Sequence, residues 1–439
     1  MRLWIATARN DFTLVGYARL GDERVLRKCR REVVDARIRN PARTLRKQSF
    51  GKSLPSSALS PRSRVESSRA EGPMIEWWGD RHEGMSLETW HRCRHINPLS
   101  FHDKMISSNT TNMSESKNII ITGAGGMIGP MLAKRLLNDG HKLVLTDLVQ
   151  PKVPEGVAHP ENAKCMKGDI CDPSFVKSLI EAAQPLDAIF IFHGIMSAGS
   201  EANFDLSMKV NVQSVRDLLL SLRQSNPGVR VVYSSSQAVY GQPLPKVITD
   251  STIPTPEGTY GAHKFATEII INDMNRKGYV DAFSVRFPTV IVRPGAPSNA
   301  APSFLSGMIR EPMKGEECVI PLVDRSYRTY VCSPSSTIEN LVRVLDLPSD
   351  ALPPHQRHIM FPGVSTTIQE MMDALEKYGG ADKLKLLKEE TNPTFERILR
   401  SWPEDFDPST PDRLGLLRDE KVEDLIKEYI DIVKSNKKN

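Results

Sequence analysis

Behind about residue 113 the chain alternates short apolar runs with amphipathic stretches, and ahead of it no such order is visible. Residues 118–122 read Asn-Ile-Ile-Ile-Thr, a continuous apolar run of strand length, followed by a helical pattern through Leu137 that stops at Gly140. Runs that short and that uniformly apolar predict strands covered on both faces. The motif recurs: a strand over 142–146, a strand-like segment before Gly168, an apolar strand over 188–192, a strand over 231–236, and a helical stretch from Tyr260 to about Arg276. Strand and helix in regular alternation predict an α/β protein of the Rossmann type, a doubly wound parallel sheet with helices on both faces.

Charge changes the picture at the front. The net charge of +5 over 439 residues is the sum of two unlike parts. Residues 1–112 hold 17 Arg and 4 Lys against 12 acidic residues, whereas the remainder is net acidic. Four of the five tryptophans (Trp4, Trp77, Trp78, Trp90) also lie in this front part, which shows no sustained helical or strand periodicity. Its run over 43–69 is rich in Ser, Pro and Arg, a composition that disfavours a packed core. Composition therefore divides the chain at about residue 113, with a basic extension over 1–112 ahead of the α/β part. Met113-Ser114-Glu115-Ser116-Lys117 leads straight into the first strand, so residues 1–112 are expected to be either without regular structure or an over-extension of the coding sequence. An Arg-rich leader suits mitochondrial import, but Asp11, Asp22, Glu23, Glu32 and Asp35 interrupt it, and the cytoplasm is the expected compartment. No run of eighteen apolar residues occurs, which disfavours a membrane-spanning helix. The six cysteines lack Cys-x-x-Cys spacing, so neither a metal site nor a disulfide framework is expected. No nucleic-acid-binding module accompanies the basic segment, and no nucleic acid is expected as a partner.

The first strand runs into Gly123-Ala124-Gly125-Gly126-Met127-Ile128-Gly129 and then a helix. Strand, glycine turn and helix in that order bring backbone N–H groups and a helix N-terminus to a pyrophosphate. Asp147 ends the second strand, where a carboxylate accepts hydrogen bonds from both ribose hydroxyls and repels a 2′-phosphate, so the cofactor expected is NAD rather than NADP. Asp169 and Ile170 are candidates for the adenine, and His193-Gly194 for the backbone beside the cofactor, with His193 itself read as structural.

The fifth strand ends in Ser234-Ser235-Ser236, and twenty-four residues beyond Ser236 Tyr260 opens a helix that carries Lys264 one turn later. Four residues apart, the two side chains share one helix face. A free tyrosine has a pKa near ~10. An adjacent ammonium, helped by the positive nicotinamide ring, favours the phenolate and fits Tyr260 to take a proton from a substrate hydroxyl. Tyr-x-x-x-Lys means little on an arbitrary helix; its position behind five strands and a serine-rich strand end gives it weight.

These elements resemble the extended short-chain dehydrogenase/reductase (NAD-dependent epimerase/dehydratase) superfamily over residues 117 to about 434. The matching residues are Gly123, Gly126 and Gly129, Asp147, Asp169, Asn211 in Val-Asn-Val, Ser236-Gln237-Ala238-Val239-Tyr240-Gly241, and Tyr260 with Lys264. The resemblance selects Ser236 as the catalytic serine and implies that Asn211 supports Lys264 through water. It also implies an NAD-binding domain over 113–292 and a smaller interleaved, mainly substrate-binding lobe with C-terminal helices over 293–439, usually in a dimer, with Pro288 beside the cofactor. Dehydratases carry an acidic pair where this chain has Gln237-Ala238. Nucleotide-sugar epimerases often carry Asn where it has Thr289, three residues after Arg286. Phe287-Pro288-Thr289, the segments at 293–297 and 299–301, Ser306 to Pro312, and Ser401-Trp402-Pro403 resemble the D-erythronate dehydrogenase family, whose members oxidise the C2 hydroxyl of a four-carbon sugar acid with NAD.

That resemblance implies a small sugar acid as partner, with Ser197, Ser236 and Tyr260 at the substrate and a cationic anchor for its carboxylate. A guanidinium grips a carboxylate through two hydrogen bonds. Arg310 and Arg328 are the first candidates, with Arg293 behind them. Two rival readings stay open: an epimerase that returns its hydride to the same substrate and yields no net NADH, and a non-catalytic NAD-binding regulator.

Overall fold

The computed structural model describes residues 2–8, 12–18, 115–293 and 303–436. Residues 1–101 and 102–439 form two units. In the first, strands Arg2–Ala8 and Phe12–Ala18 pair antiparallel, from Arg2 opposite Ala18 to Ala8 opposite Phe12. This corrects the expectation that residues 1–112 carry no regular structure throughout. The two runs are rich in aromatic and β-branched residues, Trp4 and Ile5 facing Gly16 and Val15, but each is too short to register as a period. The rest of 1–112 and Met113 itself lie outside the described residues, as does the 294–302 part of the sugar-acid resemblance.

In the second unit the strands are β1 Asn118–Thr122, β2 Lys142–Asp147, β3 Ala163–Lys167, β4 Ala188–Ile191, β5 Arg230–Ser236 and β6 Asp281–Phe287. They are followed by β7 Thr289–Val290, β8 Cys318–Ile320, β9 Arg328–Cys332, β10 His358–Met360, β11 Val364–Thr367 and β12 Leu387–Glu389. Seven of them make one parallel sheet in the order β10-β6-β5-β4-β1-β2-β3. The order reverses between β1 and β4, where α/β sheets open a crevice at their carboxyl ends. Alternate side chains of β1 feed opposite faces: Ile119 and Ile121 join one buried cluster, Ile120 the other. On the first face pack α1 (Ile128–Asn138) and α6 (Pro334–Leu345). On the second pack α2 (Pro173–Ala182), α3 (Ser214–Ser225) and α4 (Thr259–Arg276). Leu132, Leu136 and Leu137 of α1 are fully buried, and truncating one to Ala costs roughly 2–5 kcal/mol. Gly140 stops α1 with a φ of 83°, its N–H donating to Leu137 O at 3.1 Å.

The line near residue 292 is crossed three times. The chain leaves for the smaller lobe, returns to supply α6 and the edge strand β10, and leaves again at β11. The lobe itself pairs β9 antiparallel with β11 and parallel with β7, and pairs β8 with β12. Its core joins α5 (Ser303–Lys314), α7 (Ile368–Gly379) and α8 (Val422–Asn436) through Leu305, Met308, Met371, Leu375 and Ile426. Among the described residues no helix is long and apolar enough to cross a membrane.

Candidate active site

A cavity of about 820 Å³ opens at the carboxyl ends of the sheet. Gly123 follows β1 with a φ of 69°, and a Cβ there would stand 2.6 Å from His193 N. At Gly129 a Cβ would stand 2.7 Å from Ala124 Cα, so helix and turn touch only because Gly129 lacks one, as Gly123 does against His193. Met127 precedes α1 without a side-chain cap, leaving first-turn N–H groups for an anion. Gly123, Gly126, Met127, Ile128 and Gly129 all line the cavity.

Asp147 stands at the same end. Its Oδ2 accepts from Gly125 N at 2.9 Å and its Oδ1 from Leu148 N at 2.7 Å, which fixes the carboxylate while leaving lone pairs on both oxygens for a diol. The residues that follow, Leu148 and Val149, are exposed and apolar. Asp169 is oriented by Cys171 N, 2.8 Å from its Oδ1, and lines the wall with Ile170. His193 and Gly194 line it too. The imidazole is held between Thr122 Oγ1 (2.8 Å) and Ser214 Oγ (3.0 Å), and burial drives its pKa down to about 3, so it stays neutral. These residues fit a dinucleotide: a glycine cradle at van der Waals limit, orphan helix donors, and an oriented carboxylate.

Ser236, Tyr260 and Lys264 meet at the far end of the same cavity. Ser236 Oγ accepts from Ala238 N at 3.1 Å, capping the single turn 237–239. Lys264 Nζ donates to Ser234 O at 2.6 Å and lies 5.6 Å from the Tyr260 ring centre. Burial pushes the Tyr260 phenol up to about 12, with the Ser236 hydroxyl pulling the other way. Burial pulls Lys264 down to about 7, opposed by Glu268. Within the protein alone burial therefore dominates at both groups, and the expected shift of the phenol toward working range relies on the nicotinamide charge as well as on Lys264.

Asn211 does not line the cavity. It sits in the π-helical turn Met208–Gln213, accepts from Ile195 N at 2.7 Å and donates to Ile195 O at 2.9 Å. Its amide therefore fixes the loop behind Gly194. Ser207 Oγ, bonded to Asn211 Nδ2, Ser200 Oγ and His263 Nδ1, ties that loop to the helix of Tyr260. Glu201 reinforces the tie by accepting from Thr259 N at 2.5 Å, since Gly258 has no side chain to cap α4. Sequence reasoning missed these supports, and also the buried set in which Arg286 donates to Glu268 (2.9 and 2.5 Å) and to Tyr240 Oη (2.6 Å). Two signals were present: Glu268 one turn beyond Lys264, and a lone Arg in the apolar run of β6.

The substrate candidates separate sharply. Ser197, Pro288 and Arg293 line the cavity, as do Gln237, Thr289 and Trp402. Arg310 does not: it is buried, its guanidinium bonded to Glu311 (Nε–Oε1 3.1 Å) and to Arg293 O (3.1 Å). Arg328 does not either, lying exposed with Ser365 Oγ at 3.5 Å. Both first choices for a carboxylate anchor are therefore corrected, Arg310 because an adjacent carboxylate already neutralises it and Arg328 because it points into solvent. Arg293 is partly buried, its charge disfavoured by that burial and by Arg310, and among the described residues no carboxylate pairs with it.

Comparison with known proteins agrees with this geometry. Residues 119–332 match the model of the NAD dependent epimerase/dehydratase family. The D-erythronate dehydrogenase of Haemophilus influenzae is 37% identical over 318 residues, covering 71% of this chain and 98% of that one. That of Cupriavidus necator is 32% identical over 325 residues, covering 72% and 98%. Among solved structures, a nucleoside-diphosphate-sugar epimerase from Agrobacterium tumefaciens superposes with a TM-score of 0.68 at 33% identity, over 74% of this chain and 97% of that one. L-threonine 3-dehydrogenase from Trypanosoma brucei shares the fold, with a TM-score of 0.64 at 23% identity over 73% and 99%.

Proposed function

The chain belongs to the NAD dependent epimerase/dehydratase family, and from that premise we propose that it oxidises the C2 hydroxyl of a small sugar acid such as D-erythronate. It is an NAD-dependent oxidoreductase; the proposal concerns its substrate and the residues that act on it. The observation that carries it is Arg293, a partly buried guanidinium without a carboxylate partner among the described residues, in the cavity that Ser236 and Tyr260 also line. A desolvated charge without a partner is unfavourable, and a substrate carboxylate relieves it through two parallel hydrogen bonds. The names of the two curated relatives support the same acid.

In this reading Arg293 holds the carboxylate and the Ser236 hydroxyl orients the C2 oxygen. Tyr260 Oη takes the hydroxyl proton as the C2 hydrogen departs with its electron pair, leaving a 2-oxo acid. NAD⁺ bound along the glycine turn supplies the hydride acceptor and a positive charge close to the phenol. Lys264, fixed by Ser234 O, holds the ribose next to the nicotinamide, and Asp147 holds the adenosine ribose. Asn211 keeps the 193–195 loop in place beneath them.

Leu220 of α3 and Ile269 of α4 are exposed on adjoining helices, and we read this face as the contact of a homodimer, to be checked by sedimentation equilibrium. The test of the activity is NADH formation by the full-length protein against erythronate, threonate and related acids, with nucleotide sugars in parallel. Hydroxy-acid oxidation with net NADH is expected. Turnover of nucleotide sugars without net NADH would overturn it in favour of an epimerase.

A further inference from the structure

Next to Ser236 in the chain, Gln237 is only 3% exposed and still lines the cavity. Its Nε2 donates to Thr289 Oγ1 at 3.0 Å, a residue of β7 on the same wall. Its Oε1 is buried and, among the described residues, meets no donor. A buried acceptor left unsatisfied is unfavourable, and an amide that makes only part of its hydrogen bonds at a cavity wall has capacity for a ligand group. Turning the amide over moves the vacancy from oxygen to nitrogen without removing it. A hydroxyl group serves either orientation, because it both donates and accepts.

Gln237 also has a fixed relation to the chemistry. Ser236 caps the turn that begins with Gln237, and Thr289 holds the amide from the opposite strand. With the carboxylate at Arg293 and the reacting oxygen at Ser236 and Tyr260, a two-point grip tolerates any 2-hydroxy acid. A third polar contact makes the site read the next carbon.

We propose that Gln237 is a specificity-determining residue, hydrogen-bonded to the hydroxyl beside the one being oxidised, so that the enzyme selects acids with adjacent hydroxyls over acids that lack the second. This rests on the sugar-acid reading above. One lost hydrogen bond of this kind is worth on the order of tenfold in kcat/KM.

The test compares D-erythronate with 2,4-dihydroxybutanoate of the same C2 configuration, which lacks only the C3 hydroxyl, using the full-length protein and NAD. The wild type is expected to prefer erythronate by about tenfold or more, and Gln237→Met to bring the ratio of the two kcat/KM values close to one. A ratio that persists in the variant, or a loss shared equally by both acids, overturns the inference while leaving the sugar-acid reading intact. If the wild type oxidises neither acid, that reading falls and the inference with it. Should Gln237→Met fail to fold, Thr289→Val removes the anchor of the amide and is expected to lower the same ratio; an unchanged ratio there has the same overturning force.

Discussion

The two ends of the cavity are built in different ways. At the cofactor end, recognition is held in the backbone: two glycines without room for a Cβ, an uncapped helix start, and a carboxylate pinned by main-chain N–H groups of Gly125 and Leu148. At the end proposed for the substrate the lining consists of side chains drawn from distant segments, Ser197, Gln237, Arg293 and Trp402 among them. The first end depends on local sequence and tolerates little change. The second depends on which side chains have found partners elsewhere. The same cofactor machinery can therefore serve a new substrate through changes confined to the far wall.

Substitutions break this comparison in graded ways. Tyr260→Phe acts where the two ends meet and is expected to lower kcat by about 10²–10⁴-fold, with NAD affinity by fluorescence titration nearly unchanged; near-normal turnover would remove Tyr260 from its role. Arg293→Leu is confined to the substrate end. It is expected to raise the KM for the acid by about 10–100-fold, the worth of charge-assisted hydrogen bonds, without altering NAD binding. Asp147→Asn is confined to the cofactor end: NAD binding weakens by roughly tenfold and NADP, no longer repelled, gains, as paired titrations would report. The smallest effect comes from pH. His193 is held at about 3 in the fold against an ordinary 6.5, so the unfolded chain takes up the proton first. Its contribution to stability is complete above 6.5 and is lost as pH falls from there toward about 3. His193→Gln should flatten the fall in melting temperature across that window, and an equally steep fall in the variant would assign the acid sensitivity elsewhere.

How much of this was legible follows the same division. Gly123 to Gly129, Asp147 and the Tyr260–Lys264 spacing lie within single strand–turn–helix units, so their geometry follows from local periodicity. Arg293 ranked behind Arg310 and Arg328 because no local rule says which arginine is already neutralised. Arg310 pairs with Glu311, its own neighbour, yet adjacent residues on a helix do not ordinarily face each other. The Gln237–Thr289 bond spans fifty-two residues and the Glu268–Arg286 pair joins a helix to a strand. Such contacts belong to tertiary packing. The sequence likewise names Lys264 as the neighbour of Tyr260 but not the depth at which both are buried.

The edge strand β10 has a consequence for how the protein is made. The β6 side of the sheet is completed only by His358–Met360, which pairs through Ser284 to Arg286 and is translated after the first strands of the smaller lobe. Until then a nascent chain exposes a ready-made pairing edge in β6, flanked by Phe283 and Val285, of the kind that recruits foreign strands. A ribosome that stalls between the two segments would thus release a polypeptide whose cofactor turn is already complete but which is prone to stick to its siblings.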